Sequence, residues 1–409
     1  MKLPAIAAAI FASVLLPTSA EAADPPDELR VQGPAEAVGE DAAEYARLFG
    51  VTQAEAASRL QAQEASVGAT DRLQTDHADR LAGIWVEHVP DYRIVVLLTG
   101  AEPVPGRTIV AGGRSVPVSF ETGAAATRAE VIAALRSAQM AIREAFPRAQ
   151  GMGFDPRTGS LVLMIAEADG WADATEDRRA ELEALTGVPS RIRLLGAEDR
   201  DTALGGERLE GVDPLDGRRR VCTTGFLVTD RVRTGLVTAA HCPDSLSYRD
   251  PGGGEVPLEF VGQWGVSYQD VQVHVGELGR RPLFYAGAGR SSARTVTSWR
   301  NRTSTRVGDL VCHRGEASGY SCAPVEYIDY APPGDLCAGP CAPVWVAVSG
   351  PRCRPGDSGG PVFLGTTAFG IAKGANSQAG RCTLYYYMST DYLPEGWSLL
   401  YDDGRGATR

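Results

Sequence analysis

From Cys353 to Phe363 the chain reads CRPGDSGGPVF, three glycines and two prolines around one serine and one aspartate. Glycine lets a backbone turn tightly and lets other groups approach it, while proline stiffens the entrance, so the stretch reads as a shaped turn. A hydroxyl on such a turn, Ser358, suits a held nucleophile; the plainer alternative is a Gly-rich surface loop. Serine is a weak nucleophile at its own pKa. It needs a base within hydrogen-bond reach, and the base needs an acceptor that fixes its tautomer. His241, in TGLVTAAHC, stands where an apolar strand runs into small alanines, so an imidazole can sit at the strand end. Asp270 opens DVQVHV, where alternation sends Val271, Val273 and Val275 to one face and Gln272 and His274, with Asp270, to the other.

The order His, Asp, Ser narrows the chemistry. Gly356 to Gly360 also fits the G-x-S-x-G elbow of α/β-hydrolases, but that fold needs a histidine after the serine and none follows His313. The subtilisin order, aspartate before histidine, belongs to a larger α/β sheet than this part of the chain suggests.

The elements that must carry these residues are strands. CTTGFLVTD, TGLVTAAHC, PLEFVGQW, DVQVHV, RVGDLVC, PVWVAVSG, TAFGIAKG and CTLYYYMS follow one another after Cys222, separated by Gly, Pro and Asp, which predicts an all-β barrel or sandwich. All eight cysteines lie between Cys222 and Cys382, an even, clustered set that implies disulfides without choosing their pairing. A metal site is not expected, since no CxxC pair repeats and histidine is scarce.

The first 221 residues hold no cysteine. There the sequence predicts helices from Thr52 with Glu55 and from Thr127 with Glu130, each a capping box, and Gly50 ends an earlier helical stretch. LAGIWVEH and RIVVLLT around VPDY form a hairpin, as does FDPRTGSLVLMIAE around Pro156 and Gly159. A third helix near Glu176 to Leu185 and a strand at Ile192 to Leu195 complete an α+β domain. His77 and His88 have no companion at metal spacing and are expected to be solvated or packing residues.

The first 24 residues carry one lysine, an apolar run from Ala5 to Leu16, and small residues up to Ala22, the pattern of a secretory signal peptide over residues 1–22. That run is too short for a comfortable membrane span, and no later stretch approaches eighteen apolar residues. A net charge of −11 argues against a nucleic-acid binder, which needs Lys and Arg against phosphate.

TAAHC together with GDSGGP resembles the chymotrypsin-like serine proteases, and GDLVCHRGEASGYSC, CRPGDSGGPVF and YARLFGVTQAEAASRLQ resemble the bacterial secreted group typified by alpha-lytic protease and the streptogrisins. The resemblance implies two six-stranded antiparallel β-barrels of the trypsin-like kind over residues 216–409, preceded by an α+β pro-region, residues 23–215, that templates folding and blocks the site until self-cleavage between Gly205 and Val221. It implies His241 as base and then acid, Asp270 as its orienting partner, Ser358 as nucleophile, and the Gly356 and Ser358 N–H groups as oxyanion hole. It places Gly370, Lys373, Gly374 and Ala375 along the substrate pocket, with no acidic residue to favour basic side chains, hence an apolar preference. It pairs Cys222 with Cys242, Cys312 with Cys322, Cys353 with Cys382, and leaves Cys337 with Cys341. In relatives an arginine follows the first cysteine of the VC…SC loop and can meet the aspartate before the nucleophile; here His313 stands there and Arg314 next, so the partner of Asp357 is open between them. His274 and His313 are expected to be structural. The product is expected to be a secreted, extracellular or periplasmic, monomeric endopeptidase without cofactor, acting on protein and peptide substrates; the rival is a catalytically inactive relative serving as a binding or scaffold protein.

Overall fold

The computed structural model describes residues 30–403 apart from 148, 167–174, 196–205, 215, 250–253, 265–268, 277, 279–280, 288–291, 333–336, 338–339, 351 and 379–380. The expected signal segment lies outside the described residues.

β1 (Arg30–Gln32) leads into α1 (Pro34–Phe49), which has proline in its first turn and Glu36 beside the N-terminal amides, and stops at Gly50, whose φ of 67° is left-handed. α2 (Gln53–Ala65) is capped by Thr52, whose hydroxyl accepts from the Glu55 N–H. The return half of the expected box does not form, because Arg59 and Arg114 take the Glu55 carboxylate at 2.7 and 2.8 Å. After α3 (Val67–Asp76), β2 (Leu81–Glu87) and β3 (Arg93–Thr99) make the first expected hairpin. β4 (Arg107–Ala111) and β5 (Arg114–Ala124) extend it to a four-stranded sheet in the order β2-β3-β5-β4, with β3 and β5 parallel. α4 (Arg128–Ala145) carries a complete capping box between Thr127 and Glu130. β6 (Ala149–Asp155) and β7 (Ser160–Ala166) form the second hairpin, α5 (Thr175–Thr186) follows, and β8 (Ser190–Leu195) pairs parallel to β7. The N-terminal half is α+β, as its sequence predicts.

In the rest the regular elements are strands, with short 3-10 turns at Arg302–Ser304 and Thr390–Tyr392. β9 (Arg208–Val212), β10 (Arg219–Thr223), β11 (Leu227–Thr229), β12 (Thr234–Ala239), β13 (Leu246–Arg249), β14 (Glu255–Pro257), β15 (Glu259–Trp264) and β16 (Val271–Val275) fall into two sheets, β10-β9-β13-β14 and β15-β16-β12-β11. β9 precedes residue 215 yet is paired on both sides by strands of this half, so the β unit starts earlier than the sequence suggests. β17 (Leu283–Tyr285), β18 (Ser292–Thr295) and β19 (Ser298–Trp299) connect to the second barrel. That barrel is a closed ring of six: β20 (Leu310–Gly315), β21 (Gly319–Ala331), β22 (Trp345–Ser349), β23 (Pro361–Leu364), β24 (Thr367–Gln378) and β25 (Arg381–Ser389), in the order β20-β23-β24-β25-β22-β21 and back to β20. β26 (Ser398–Leu399) returns to β11 and joins its sheet; the sheets β10-β9-β13-β14 and β15-β16-β12-β11-β26 together make up the first barrel.

The two halves share structure. β6 pairs with the end of β21, Gly153 opposite Tyr330, so β6, β7 and β8 continue the sheet of the second barrel. Gly151 permits this approach: a Cβ there would lie 2.2 Å from the Tyr330 hydroxyl. One apolar core takes Tyr45, Trp85 and Met164 from the first half and Val311, Trp345 and Phe363 from the second. Buried polar contacts fix the fit. Arg294 meets Asp41 at 3.0 Å, Arg306 donates to the Gln63 carbonyl at 2.7 Å, and Arg128 meets Asp329 at 2.7 Å. Among the described residues no helix is long and apolar enough to cross a membrane.

Three histidines are buried. His88 lies against the Tyr45 hydroxyl, 2.6 Å from its Nδ1, and against the Gly308 carbonyl. His274 packs on Phe260, and His313 on Tyr385. Burial pushes each imidazole down to about 4. Between that value and the unfolded 6.5 the unfolded chain binds protons that the folded chain does not, so stability rises with pH in this window and is lost as pH falls through it. Each such group amounts to about 3 kcal/mol by pH 4. Urea unfolding of the intact chain is expected to show a falling midpoint from pH 6.5 to 4, flattened in His274→Leu; a midpoint constant across that range contradicts the buried neutral imidazoles.

Candidate active site

β12 ends at Ala239, and the chain turns at once, Cys242 N–H donating to the Ala239 carbonyl at 3.1 Å. Small alanines leave the turn room, and the Cys222–Cys242 disulfide anchors its far side. Gln272 on the neighbouring β16 donates to the Ala239 and Cys242 carbonyls at 2.7 and 3.2 Å, so the strand beside the histidine holds the turn that presents it. Sequence reasoning placed Gln272 on the correct face of its strand but gave it no task.

Asp270 stands one residue before β16, with 3% of its surface exposed and a left-handed φ of 44°. Such a conformation is uncommon outside glycine, though aspartate tolerates it best. It aims the carboxylate back at His241. Oδ1 accepts the His241 main-chain N–H at 2.9 Å, and Oδ2 lies 2.9 Å from the ring Nδ1. The Nδ1 proton is thereby held by the carboxylate, leaving Nε2 as the acceptor. Nε2 is hydrogen-bonded to Ser358 Oγ. The structure brings the three sequence-predicted residues into one line.

Ser358 is held by its neighbours' carbonyls. Thr223, at the end of β10, donates its main-chain N–H to the Ser358 carbonyl and its hydroxyl to the Gly356 carbonyl, both at 2.8 Å. Gly359 N–H donates to Ala372 on β24, and Ala372 N–H returns to Gly360. With these carbonyls fixed, the Gly356 and Ser358 N–H groups have no protein acceptor among the described residues. Gly356, at φ 101°, and Gly359, at φ 94°, answer for the glycines of the turn. A Cβ on Gly359 would lie 2.0 Å from Thr238 Oγ1 and 2.5 Å from the Thr223 carbonyl.

Asp357 meets neither His313 nor Arg314. Its Oδ1 accepts from the Ala317 and Ser318 N–H groups at 2.7 and 3.0 Å, and its Oδ2 from the Arg354 N–H at 2.8 Å. Arg314 instead donates to the Gly287 carbonyl, and His313 Nε2 sits 3.0 Å from the Arg352 carbonyl and 2.7 Å from Ser321 Oγ. Main-chain amides of the β20–β21 turn thus replace the expected side chain. Burial pushes the Asp357 carboxyl up to about 8, and those three amides oppose it.

The four residues expected along the pocket all lie on β24. Gly370, Gly374 and Ala375 are buried on β24; a Cβ on Gly370 would lie 2.1 Å from the Met388 carbonyl, and one on Gly374 would lie 2.4 Å from the Tyr386 hydroxyl. The side chain of Lys373 is wholly buried, with Nζ 3.9 Å from Asp270 Oδ2. Burial pushes the Asp270 carboxyl up, but Lys373 and His241 outweigh it and hold the group below its ordinary value. The resemblance marks Lys373 as a pocket residue, and nothing in the sequence marks it as a neighbour of Asp270.

The four disulfides are Cys222–Cys242, Cys312–Cys322, Cys337–Cys341 and Cys353–Cys382, and Cys353–Cys382 ties the entrance of the serine loop to β25. Asp41 lies close to the Cys312 and Cys322 sulfurs, but both are consumed in their disulfide and offer no thiolate to a metal.

No family model matches the chain. It is similar to Streptogrisin-C of Streptomyces griseus, 24% identical over 191 residues, which are 46% of this chain and 39% of that protein. The chain thus spans well under half the length of the curated relative it matches. At this low identity, over about half of the chain, the likeness is to the chymotrypsin-like bacterial serine proteases. Similar solved structures include a glutamic acid specific serine protease, 24% identical, covering 46% of this chain and 94% of that one with a TM-score of 0.36. Protease A of Thermobifida fusca is 19% identical, covering 49% and 98%, with a TM-score of 0.38.

Gly359→Ala is expected to destabilise the protein by at least about 3 kcal/mol, since the new methyl meets backbone and a fixed hydroxyl at a left-handed φ. Denaturant unfolding measures this, and a loss under about 1 kcal/mol contradicts the close packing of the serine loop.

Proposed function

We propose that this chain is a secreted serine endopeptidase, made as a prepro-protein that processes itself. The observation that carries the reading is the imidazole of His241 bonded through both ring nitrogens, to Asp270 on one side and Ser358 on the other. His241 Nε2 takes the Ser358 proton as Oγ attacks the peptide carbonyl, and Asp270 stabilises the imidazolium. The carbonyl oxygen, now negative, is received by the Gly356 and Ser358 N–H groups, each worth about 3 kcal/mol of transition-state stabilisation. The imidazolium then gives its proton to the leaving amine, and water repeats the sequence on the acyl-serine.

Residues 1–22 act as signal peptide and residues from 23 as pro-region. The pairing of β9 on both sides within the β unit favours a processing bond at the N-terminal end of the stretch between Gly205 and Val221, ahead of Arg208. Burial of Ser358 in the intact chain favours a precursor closed to substrate, and an N-terminal half without cysteine beside a stapled enzyme half suits a disposable helper. Slow formation of a non-local β fold gives such a segment its use as a template. The enzyme works as a monomer on peptide substrates and takes no cofactor, nucleic acid or membrane as partner.

The expressed chain is expected to accumulate as a shortened product that a fluorophosphonate probe labels at Ser358. Ser358→Ala is expected to remain full length, to take no label and to lose at least about 10⁴-fold in peptide hydrolysis. A processed parent protein that does not label contradicts the enzyme; a Ser358→Ala chain that still shortens contradicts self-processing.

A further inference from the structure

Among the described residues, Lys373 is the one charged group at the triad that the hydrolytic steps leave idle. Its side chain projects from β24 into the seam between the barrels, wholly buried, and Nζ has no hydrogen-bond partner among the described residues. Buried lysines without a partner ordinarily give up their proton. Here burial pushes the ammonium down to about 8 and the Asp270 carboxylate keeps it from falling further, so it is cationic at neutral pH. The oxygen nearest to it, Asp270 Oδ2, is the same atom that faces His241 Nδ1 at 2.9 Å.

We propose that Lys373 is a positioning residue of the triad: a resident counter-charge that shares Asp270 Oδ2 with the imidazole, keeps that carboxylate ionised and offsets the field it exerts on the His241 ring. The inference rests on the hydrolase reading above and concerns how that site is tuned.

The surroundings leave the arrangement to these three groups. Asp270 is the charged group acting on Lys373, and Lys373 and His241 are those acting on Asp270. From β16 the next titratable side chain is His274, which burial keeps neutral. From β25 the tyrosines opposite Lys373 and its neighbours are Tyr386 and Tyr387, and burial holds the Tyr387 phenol far above its ordinary range. From β10 and β12 come Thr223 and Thr238, and from the serine loop Asp357, whose carboxylate is engaged with main-chain amides on the far side. A cation fixed at one carboxylate oxygen weakens the field in which a second cation, the imidazolium, must form. It also keeps Asp270 ionised in a site that has excluded water, so the hydrogen bond to Nδ1 persists in the resting protein.

The test compares kcat/KM for a peptide substrate against pH in the processed parent and in Lys373→Met. The acid limb is expected to move up by about one pH unit in the variant. A purely structural role lowers activity at every pH and leaves the limb in place, and a limb within about 0.2 unit of the parent overturns the proposal. In the parent itself, the low-field proton resonance of the His241–Asp270 hydrogen bond is expected to shift with a second midpoint near pH 8 as Lys373 loses its proton. No such shift between pH 7 and 10 overturns the proposal even where the variant fails to fold. A processed parent without peptidase activity sinks the hydrolase reading, whereas an active parent with an unmoved variant sinks this inference alone.

Discussion

A carboxylate with almost none of its surface in water stays ionised only where its neighbours replace that water, and Asp270 is such a group. Its replacements are the His241 main-chain N–H, the His241 ring and the Lys373 ammonium. Each must arrive from a different part of the chain. The pairing of Ala239 with Val271 puts the histidine turn and the aspartate at the same end of two neighbouring strands, and the Ala240 N–H closes on the Asp270 carbonyl at 3.1 Å. The left-handed backbone at Asp270 costs about 1–3 kcal/mol. That strain is tolerable because the strand pairing on one side and the hydrogen bonds on the other leave the residue no alternative.

The serine arrives from the second barrel, so the site exists only where the two barrels meet. Thr223 of the first barrel grips the carbonyls of Gly356 and Ser358, while β24 of the second ties down Gly359 and Gly360. The loop is clamped from both sides. What this leaves unclamped is the pair of N–H groups that the proposed hydrolysis would use, an arrangement that would cost nothing further at the moment of reaction. Asp357 anchors the same loop from beneath through the β20–β21 turn, and its use of main-chain donors removes the need for an arginine there.

Much of this was legible in the sequence. Alternating apolar residues gave the strands that carry His241 and Asp270, and the Gly-rich turn gave Ser358, because period-two patterns and turn residues are local signals. Thr127 and Glu130 marked a helix start that the structure keeps whole, whereas the same pattern at Thr52 and Glu55 lost its second half to Arg59 and Arg114. Those competitors are four and fifty-nine residues away from Glu55, and the more distant leaves no local trace. The same holds for Lys373, which the resemblance put along the substrate pocket and the fold puts beside Asp270, and for the amides that took the place of His313 and Arg314 at Asp357. Long-range charge placement has no periodicity to read. The continuation of the barrel sheet into β6 was hidden for another reason: Gly151 and Gly153 look like breakers, and only the approach of Tyr330 explains them.

The contact between the halves divides into two kinds of interaction with different consequences. Arg294 and Arg306 are wholly buried against Asp41, Gln63 and Asp309, but if the halves separate, the charges at the contact regain water, and a buried ion pair roughly breaks even against that hydration. The affinity therefore comes from apolar surface, from the shared core around Tyr45, Trp85 and Trp345, and from β6 capping the end of β21, an edge that would otherwise be open to other strands. The buried arginines contribute selectivity of register, since a shift of α1 that parted Arg294 from Asp41 would leave a charge buried without its partner. In the proposed precursor, a segment built this way would hold the β half in one arrangement while it forms, because wrong registers are penalised by charge and the right one is favoured by area.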